Sequence, residues 1–388
     1  MVLRHADIFA PEPRGVQDLL IAGGTIAAMA PSLPPLPAAF GGAEVDLEGR
    51  RVIPGLVDCH AHLTGGGGEA GPATRVPPLA LTQLTSAGVT SVVGVLGTDD
   101  IVRTTAELVT VTRALRALGL SAWCHTGGYH LPATTLTGTV RGDIAIIDEI
   151  IGVGEVAISD HRSSQPTFDE IARLAGEAHV GGLMSGKAGI LHLHVGDGAR
   201  GLELIRRALD ETELPPRVFH PTHVNRRRAL FEEALAVAAR GSAIDITAFP
   251  VDKGEDAWSA EDALERFWAS GIAAERVTVS TDGGGCLPRF DAERQVVGMD
   301  VGQPAALMAT IAHLLARGHA LDRILPAFTS NVARLLRLPG KGRLAVGADA
   351  DLVVLSAEHR IDHVMAQGRW HRFAGAARVQ GPFEKGTP

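Results

Sequence analysis

Two histidines, His60 and His62, stand two positions apart in residues 57–63 (VDCHAHL), which are followed by Thr64 and four glycines. Side chains alternate across an extended strand, so residues at i and i+2 lie on the same face. At the end of a strand, such a pair can offer two imidazole nitrogens to one metal ion. Because the chain contains 16 histidines, the pair alone is equally compatible with two polar tips of a strand-to-loop turn.

Further candidate ligands follow, each near its own hydrophobic strand. Singly, each has an ordinary structural explanation: a core histidine, a loop cap or an Asx turn. Imidazole and carboxylate groups suit Zn²⁺ and similar ions, three protein ligands are enough for one catalytic zinc, and a carboxylate can bridge two ions. Six residues near one rim therefore predict a site for two divalent metal ions. The six are His60, His62, Glu155, His194, His223 and Asp282.

Two of these assignments depend on details that the pattern leaves open. The expected fourth strand, Glu155–Asp160, would place Glu155 at its start and not at its end. His192 stands two residues before His194, so both side chains point to the same side of the fifth strand. The residues alone do not choose between His192 and His194 as the ligand.

The elements that must position these residues alternate between strands and helices. Eight strands separated by stretches of 3.6-residue periodicity predict a (β/α)8 TIM barrel over residues 53–339, with a doubly wound open sheet as the alternative. In such a barrel, chemistry sits at the C-terminal ends of the strands. Two further helices, Pro304–Arg317 and Leu321–Leu338, should follow the eighth strand. The expected strands are Ile53–His60, Ser91–Gly97, Ser121–Thr126, Glu155–Asp160, Ile190–Val195, Arg217–His223, Ala243–Phe249 and Val277–Ser280.

Both ends of the chain carry short β-segments. Asp18–Ala28 has the pattern of a hairpin with Gly23 and Gly24 at its turn, and Ala350–Leu355 is again strand-like. We expect residues 1–52 and 340–388 to form one small β-sandwich domain beside the barrel. A capping box, Thr167 with Glu170, should begin the helix Phe168–Ala178.

The composition excludes several classes of function. A net charge of −8 and a pI near 6.0, without a basic stripe, argue against nucleic-acid binding. No apolar run is long enough to span a membrane, and no signal pattern stands at the N-terminus. Three well-separated cysteines fit reduced thiols. We therefore expect a cytoplasmic protein without membrane association.

Four segments carry a resemblance to a known family. Residues 55–62 (GLVDCHAH) resemble the metal signature of the amidohydrolase superfamily. Residues 65–72 (GGGGEAGP), 157–163 (AISDHRS) and 221–226 (PTHVNR) are similar to the isoaspartyl dipeptidases, or β-aspartyl peptidases, of that superfamily. The similarity extends from the N-terminal β-segment to residues 347–352 (GADADL).

The resemblance implies a catalytic arrangement. His60 and His62 would hold the first metal together with Asp282, and the second would be bound by His194 and His223. A hydroxide bridging the metals would attack the side-chain amide carbonyl of a β-aspartyl dipeptide. Asp282 would take the proton and deliver it to the leaving amine, while the hydroxyl of Tyr129 would assist polarisation of the carbonyl. The resemblance also implies a homo-oligomer, specifically an octamer.

The substrate of such an enzyme carries one ammonium group and two carboxylates. Glu69 would pair with the ammonium, and Arg162 and Arg226 would bind the carboxylates, because a guanidinium fork matches carboxylate geometry. The resemblance also implies substrate contacts from Thr98, from the backbone of Gly67 and from Cys286.

Two positions depart from the family pattern. Glu155 stands where the family most often has a lysine carboxylated by CO₂, and no lysine lies on that strand. Glutamate already supplies a carboxylate, so metal assembly should not require bicarbonate. Cys286 replaces a serine that donates to the substrate carboxylate, and a thiol is the weaker donor.

Two other functions compete with a β-aspartyl dipeptidase. Another amidohydrolase, acting on a cyclic amide (hydantoinase or dihydroorotase type) or on an N-acyl amino acid, would keep the six ligands. It would not need Glu69, Tyr129, Arg162 and Arg226 together. A non-catalytic scaffold derived from such enzymes would be expected to lose ligands, whereas every ligand position here carries a ligating side chain.

Overall fold

The computed structural model describes residues 1–37, 39, 41–291, 293 and 295–384. Its strands divide into a barrel group, a hairpin and a group from the two termini. The strands are β1 (Val2–Phe9), β2 (Pro13–Ala22), β3 (Thr25–Ala30), β4 (Glu44–Asp46), β5 (Arg51–Pro54), β6 (Leu56–Ala61), β7 (Val89–Gly94), β8 (Ser121–Thr126), β9 (Ile150–Ile158), β10 (Ile190–Val195), β11 (Phe219–Thr222), β12 (Ile244–Thr247), β13 (Val277–Ser280), β14 (Cys286–Phe290), β15 (Val296–Val301), β16 (Leu352–Leu355), β17 (Ile361–Ala366), β18 (Arg369–Phe373) and β19 (Ala376–Ala377).

The α-helices mostly lie between the barrel strands. They are α1 (Leu81–Ser86), α2 (Thr105–Ala117), α3 (Val140–Ile146), α4 (Phe168–Ser185), α5 (Glu203–Glu211), α6 (Arg228–Ala239), α7 (Ala260–Ala269), α8 (Ala306–Ala316), α9 (Leu321–Ile324) and α10 (Ser330–Leu335). The predicted capping box begins α4: the Thr167 hydroxyl accepts from the backbone of Glu170, and the Glu170 carboxylate accepts from the backbone of Thr167. Among the described residues, no helix is long and apolar enough to cross a membrane.

Eight parallel strands form the barrel in chain order. β6 to β11 make one continuous parallel sheet, and β12 and β13 form a second parallel pair beside β11. A parallel bridge between Ala61 and Gly283 joins the end of β6 to the segment after β13 and closes the ring of strands. Alternating helices pack outside these strands around one apolar core. The predicted (β/α)8 barrel is confirmed.

Several predicted element bounds are wrong. The helix predicted as Phe168–Ala178 continues to Ser185, and the second barrel strand ends at Gly94 and not at Gly97. The first strand is divided at Gly55, where a Cβ would collide with the side chain of Thr90. The fourth strand begins at Ile150, five residues before the predicted start at Glu155. The predicted helix Leu321–Leu338 is instead α9, a 3₁₀ turn and α10, because Pro326 has no backbone N–H to continue the helix.

The two ends of the chain meet in one nine-stranded sheet. β1 to β5 pair with β16 to β19 through antiparallel contacts between β5 and β16, and the predicted Gly23–Gly24 hairpin connects β2 to β3. This sheet encloses its own apolar cluster. The predicted domain bounds, 1–52 with 340–388 against 53–339, stay a prediction, and residues 385–388 lie outside the described residues.

Candidate active site

The predicted ligands lie in the C-terminal halves of five barrel strands or just after them; Glu155 is three residues before the end of β9. The parallel register pairs His194 on β10 with Thr222 on β11, which places His194 beside His223 at the next position. Asp282 follows the end of β13. His223 and Asp282 have φ of 61° and 53°, a left-handed conformation that is uncommon for non-glycine residues. The side chains of all six predicted ligands are buried in the barrel mouth.

The Glu155 carboxylate lies between two pairs of histidines. Its Oε1 is 3.3 Å from Nε2 of His62, and its Oε2 is 3.2 Å from Nδ1 of His194 and 3.4 Å from Nε2 of His223. Nε2 of His60 is 3.5 Å from the same Oε2. The ligand atoms of each group of three lie within 4.8 Å of one another; the groups are His60, His62, Glu155 and Glu155, His194, His223.

Asp282 completes this cluster on the side of the first histidine pair. Its Oδ1 lies 3.0 Å from Nε2 of His62 and 3.5 Å from Nε2 of His60. Burial opposes ionisation of Asp282, but its contacts with His60 and His62 outweigh that effect and hold its pKa well below the usual range. The structure thus brings together all six residues that the sequence singled out as ligands.

Gly154 lets Glu155, whose side chain is shorter than a carboxylated lysine, reach this cluster. Its φ of 152° is a conformation that L side chains rarely adopt, and a Cβ there would lie 2.6 Å from the carbonyl oxygen of His192. A glycine therefore allows β9 to run close against β10 immediately before Glu155. This approach brings the carboxylate into contact with His194 on the neighbouring strand.

Tyr129 follows β8 in a loop that begins with two glycines. Its hydroxyl lies 2.8 Å from Nδ1 of His194, and the two rings have centroids 4.5 Å apart. Burial, with the charge of Glu155, raises the pKa of Tyr129 well above its usual value. The hydroxyl therefore stays protonated and can donate a hydrogen bond into the cluster.

The residues predicted to bind substrate surround a cavity of about 740 Å³ beside the ligand cluster. Gly67, Thr98, Arg162, Arg226 and Cys286 line it. Glu69 adjoins it through a hydrogen bond from Thr98 (3.1 Å) and an ion pair with Arg162 (3.3 Å). The cavity therefore joins one acidic and two basic side chains to the ligand cluster.

The two arginines are held differently. Arg162 makes a paired contact with the Asp160 carboxylate, at 3.0 and 2.8 Å, and lies over the rings of Tyr129 and Phe290. Arg226 donates to the carbonyl of Val195 at 3.0 Å. Burial raises the pKa of Cys286 to about 12, so its thiol is neutral at physiological pH.

The structure adds two features that the sequence did not assign. Oδ2 of Asp160 lies 3.0 Å from Nε2 of His194, so Asp160 links that histidine to Arg162. Its place in residues 157–163, two positions before Arg162, was the available signal. The β14–β15 hairpin supplies one wall of the cavity, including Pro288 and Phe290; without an alternating apolar pattern, these strands gave no signal.

Comparison with known proteins identifies the family to which this chain belongs. The model of the amidohydrolase family matches residues 51–371. The chain belongs to the amidohydrolase family. It is 40% identical to a β-aspartyl dipeptidase of Fervidobacterium islandicum AW-1 solved in complex with β-Asp-Leu dipeptide, with a TM-score of 0.92 over 99% of each chain. A second β-aspartyl dipeptidase structure from that organism is 37% identical, with a TM-score of 0.89 over 99% of each chain.

A more distant relative of this amidohydrolase is the allantoinase of Deinococcus radiodurans, which is 26% identical over 100% of this chain and 94% of the relative. The much higher identity to the Fervidobacterium structures confirms the predicted membership of the isoaspartyl dipeptidase group. The chain is thus an enzyme, a hydrolase of amide bonds, and the scaffold alternative is wrong.

The ligand cluster of this amidohydrolase fits the metal ions typical of its family. Nε2 of His60, Oε1 of Glu155 and Oδ1 of Asp282 are buried and make no well-formed hydrogen bond within the described residues, although each lies within 3.5 Å of another member of the cluster. Such atoms are costly to bury unless another group, such as a cation, satisfies them. Burial lowers the pKa of His223 to about 4, so its imidazole is neutral. Burial acts in the same direction on His60 and His62, but the carboxylates of Glu155 and Asp282 outweigh it and raise both pKa values, that of His62 to about 9, so a bound cation would displace their protons. Neutral imidazoles and ionised carboxylates are the forms that bind metal.

Proposed function

We propose that this amidohydrolase cleaves the β-aspartyl (isoaspartyl) amide bond of dipeptides at a site for two divalent metal ions, with Zn²⁺ as the expected metal. One observation carries the substrate assignment: Glu69, Tyr129, Arg162 and Arg226 all adjoin one cavity beside the ligand cluster. The 40% identity to an enzyme solved with β-Asp-Leu supports the same assignment.

His60, His62 and Asp282 would hold one metal ion, His194 and His223 the other, and Glu155 would bridge the two. The pair would supply a hydroxide nucleophile at neutral pH and polarise the scissile carbonyl. The position of Glu155 between the two histidine pairs supports the bridging role. Because Glu155 carries its own carboxylate, assembly of the site would not require bicarbonate.

Asp282 would act as the proton carrier. Its low pKa leaves it ionised at neutral pH, so it can accept the proton of the attacking water and later transfer it to the leaving amine. Tyr129 would donate its hydrogen bond to the carbonyl oxygen as negative charge develops there. A buried donor that is already in place is effective because it needs little reorganisation during the reaction.

The charged side chains would orient the substrate by its ends. Arg162, fixed by Asp160, and Arg226 would each bind one carboxylate of the dipeptide, and Glu69 would pair with its ammonium group. The hydroxyl of Thr98 and the backbone of Gly67 would provide further polar contacts, and Cys286 would donate weakly. The side-chain amide would then lie over the ligand cluster, as productive attack requires.

Membership of the isoaspartyl dipeptidase group supports two wider proposals. We infer that the protein is a homo-oligomer, an octamer in solution, and that it works in the cytoplasm on small peptides. Light scattering coupled to size-exclusion chromatography tests the assembly: a mass near eight times 40.6 kDa is expected, and a monomer would contradict it. Cell fractionation tests the location.

Cyclic amides are the second candidate class of substrate, because the allantoinase relative extends over the whole chain. The discriminating experiment compares zinc-loaded protein on β-Asp-Leu, hydantoin and N-acetyl-leucine. We expect turnover of β-Asp-Leu alone, and Glu69→Gln should raise its KM because the ammonium loses its partner. Turnover of hydantoin without β-Asp-Leu would reverse the assignment.

A further inference from the structure

A line of hydrogen bonds runs through the barrel interior from the ligand His60. Nδ1 of His60 lies 2.8 Å from Nε2 of His192, and Nδ1 of His192 lies 3.0 Å from Nδ1 of His220. Nε2 of His220 lies 3.0 Å from the hydroxyl of Thr278, which lies 2.6 Å from Oδ1 of Asp245. All five side chains are fully buried.

Asp245 ends this line as a pure acceptor. Four side-chain donors converge on its two oxygens, which matches the acceptor sites of an ionised carboxylate. Because no neighbouring acceptor is nearer, the hydroxyl of Thr278 gives its single hydrogen to Asp245. The donors are Thr278 (2.6 Å), Ser280 (2.5 Å), Thr222 (2.7 Å) and Cys59 (3.2 Å).

The direction of every remaining hydrogen bond follows. Thr278 has no second hydrogen, so it must accept from Nε2–H of His220. Burial lowers the pKa of His220 to about 4, so its ring is neutral and Nδ1 accepts from Nδ1–H of His192. His192 then accepts at Nε2 from Nδ1–H of His60, so Nε2 is the nitrogen of His60 that is left to bind a metal ion. This nitrogen faces Glu155 and Asp282.

We propose that Asp245, through Thr278, His220 and His192, fixes the tautomer and the ring orientation of His60 for binding the first metal ion. His192 and His220 are then positioning residues, a role that no family resemblance assigned to them. The inference rests on the proposed metal site at His60. Partners of this kind raise the basicity of a ligand and typically affect metal affinity 10- to 100-fold.

Two neighbouring histidines provide the contrast. Nδ1 of His62, the other ligand on β6, has no hydrogen-bond partner among the described residues. His125 is equally buried, and its ring centroid lies 5.5 Å from that of His192, yet it makes no hydrogen bond to another side chain of the described chain. His125 therefore packs beside His192 without belonging to the line of hydrogen bonds.

The experiment measures zinc release from fully zinc-loaded protein into a chromophoric chelator. We expect His192→Phe to release one of its two zinc ions at least about tenfold faster than the wild type. His192→Gln, which keeps an acceptor for His60, should recover most of the difference. His125→Phe, the matched control, should release both ions at the wild-type rate.

Thr278→Val keeps the test decisive even where His192→Phe does not fold, because it removes only a distant link: within the described residues the Thr278 hydroxyl bonds to His220 and Asp245 and not to His60. Loss of this one link should speed release of the same zinc ion about fivefold, the weight of one neutral hydrogen bond. Zinc release from Thr278→Val at the wild-type rate, or equally accelerated release from His192→Phe and His125→Phe, would overturn the proposed role of this line of hydrogen bonds. Protein that holds two zinc ions but does not hydrolyse β-Asp-Leu would instead reject the substrate assignment and leave this proposal intact.

Discussion

The hydroxyl of Tyr129 lies 2.8 Å from Nδ1 of His194 in a buried contact that joins the third and fifth strands of the barrel. Tyr129 is the single tyrosine of the chain. Its neighbour on the other side is Arg162, whose guanidinium lies 5.4 Å from the centroid of the tyrosine ring. One donor thus stands between a proposed metal ligand and Arg162. Together with Arg226, Arg162 forms the proposed carboxylate clamp, the two arginines that would bind the carboxylates of the substrate.

Tyr129→Phe removes this donor and leaves the ring. We expect kcat for β-Asp-Leu to fall about 100-fold or more, the typical loss when one donor to a developing oxyanion is removed. KM and the number of bound metal ions should stay close to the wild type. Steady-state kinetics with metal analysis make the measurement, and an unchanged kcat would remove Tyr129 from the mechanism.

Glu155→Gln tests the bridging carboxylate. An amide is neutral and binds cations weakly, so we expect the metal content to fall from two ions to about one per chain and activity to fall at least about 100-fold. Glu149→Gln is the matched control, because Glu149 precedes the same strand and pairs with Arg113. Full metal content in Glu155→Gln would contradict the bridge.

Arg226→Gln tests the carboxylate clamp at the cavity wall. Loss of a charge-assisted hydrogen bond should raise KM for β-Asp-Leu about 10- to 100-fold, with a smaller effect on kcat. Arg227→Gln offers an adjacent control, since Arg227 is half-buried and donates to the carbonyl of Asp197. Equal effects of the two substitutions would show that general charge, and not the clamp, attracts the substrate.

The pH dependence should be independent of Cys286. Burial raises its pKa to about 12, so between pH 6 and 10 its thiol stays neutral and neither gains nor loses a proton. We expect the kcat/KM profile of Cys286→Ser to have the same shape as that of the wild type over this range. A wild-type inflection that disappears in Cys286→Ser would show that the thiol ionises during turnover.

The sequence predicted which six side chains lie together more accurately than the bounds of the strands that carry them. His60 and His62 follow from a period-two pattern at the end of one apolar strand, and this signal survives errors in its bounds. Glu155 was harder, because Gly152 and Gly154 interrupt the apolar run of β9 and hide its start at Ile150. Glycines needed for close strand contact carry no strand signal.

Choices that depend on depth within the barrel were not accessible to pattern alone. His192 and His194 point to the same side of β10, but one contacts His60 and His220 below the ligand cluster and the other contacts Tyr129 and Glu155 at its rim. The paired contact of Asp160 with Arg162 likewise depends on a turn after β9 whose geometry periodicity does not encode.

The most direct measurement compares the hydrolysis of β-Asp-Leu and α-Asp-Leu by protein shown to contain two zinc ions. Both peptides carry the same charges, so only a site that places the side-chain amide over the ligand cluster distinguishes them. We expect turnover of β-Asp-Leu and none of α-Asp-Leu above background. Cleavage of both at similar rates, or of neither, would contradict the assignment of this amidohydrolase as a β-aspartyl dipeptidase.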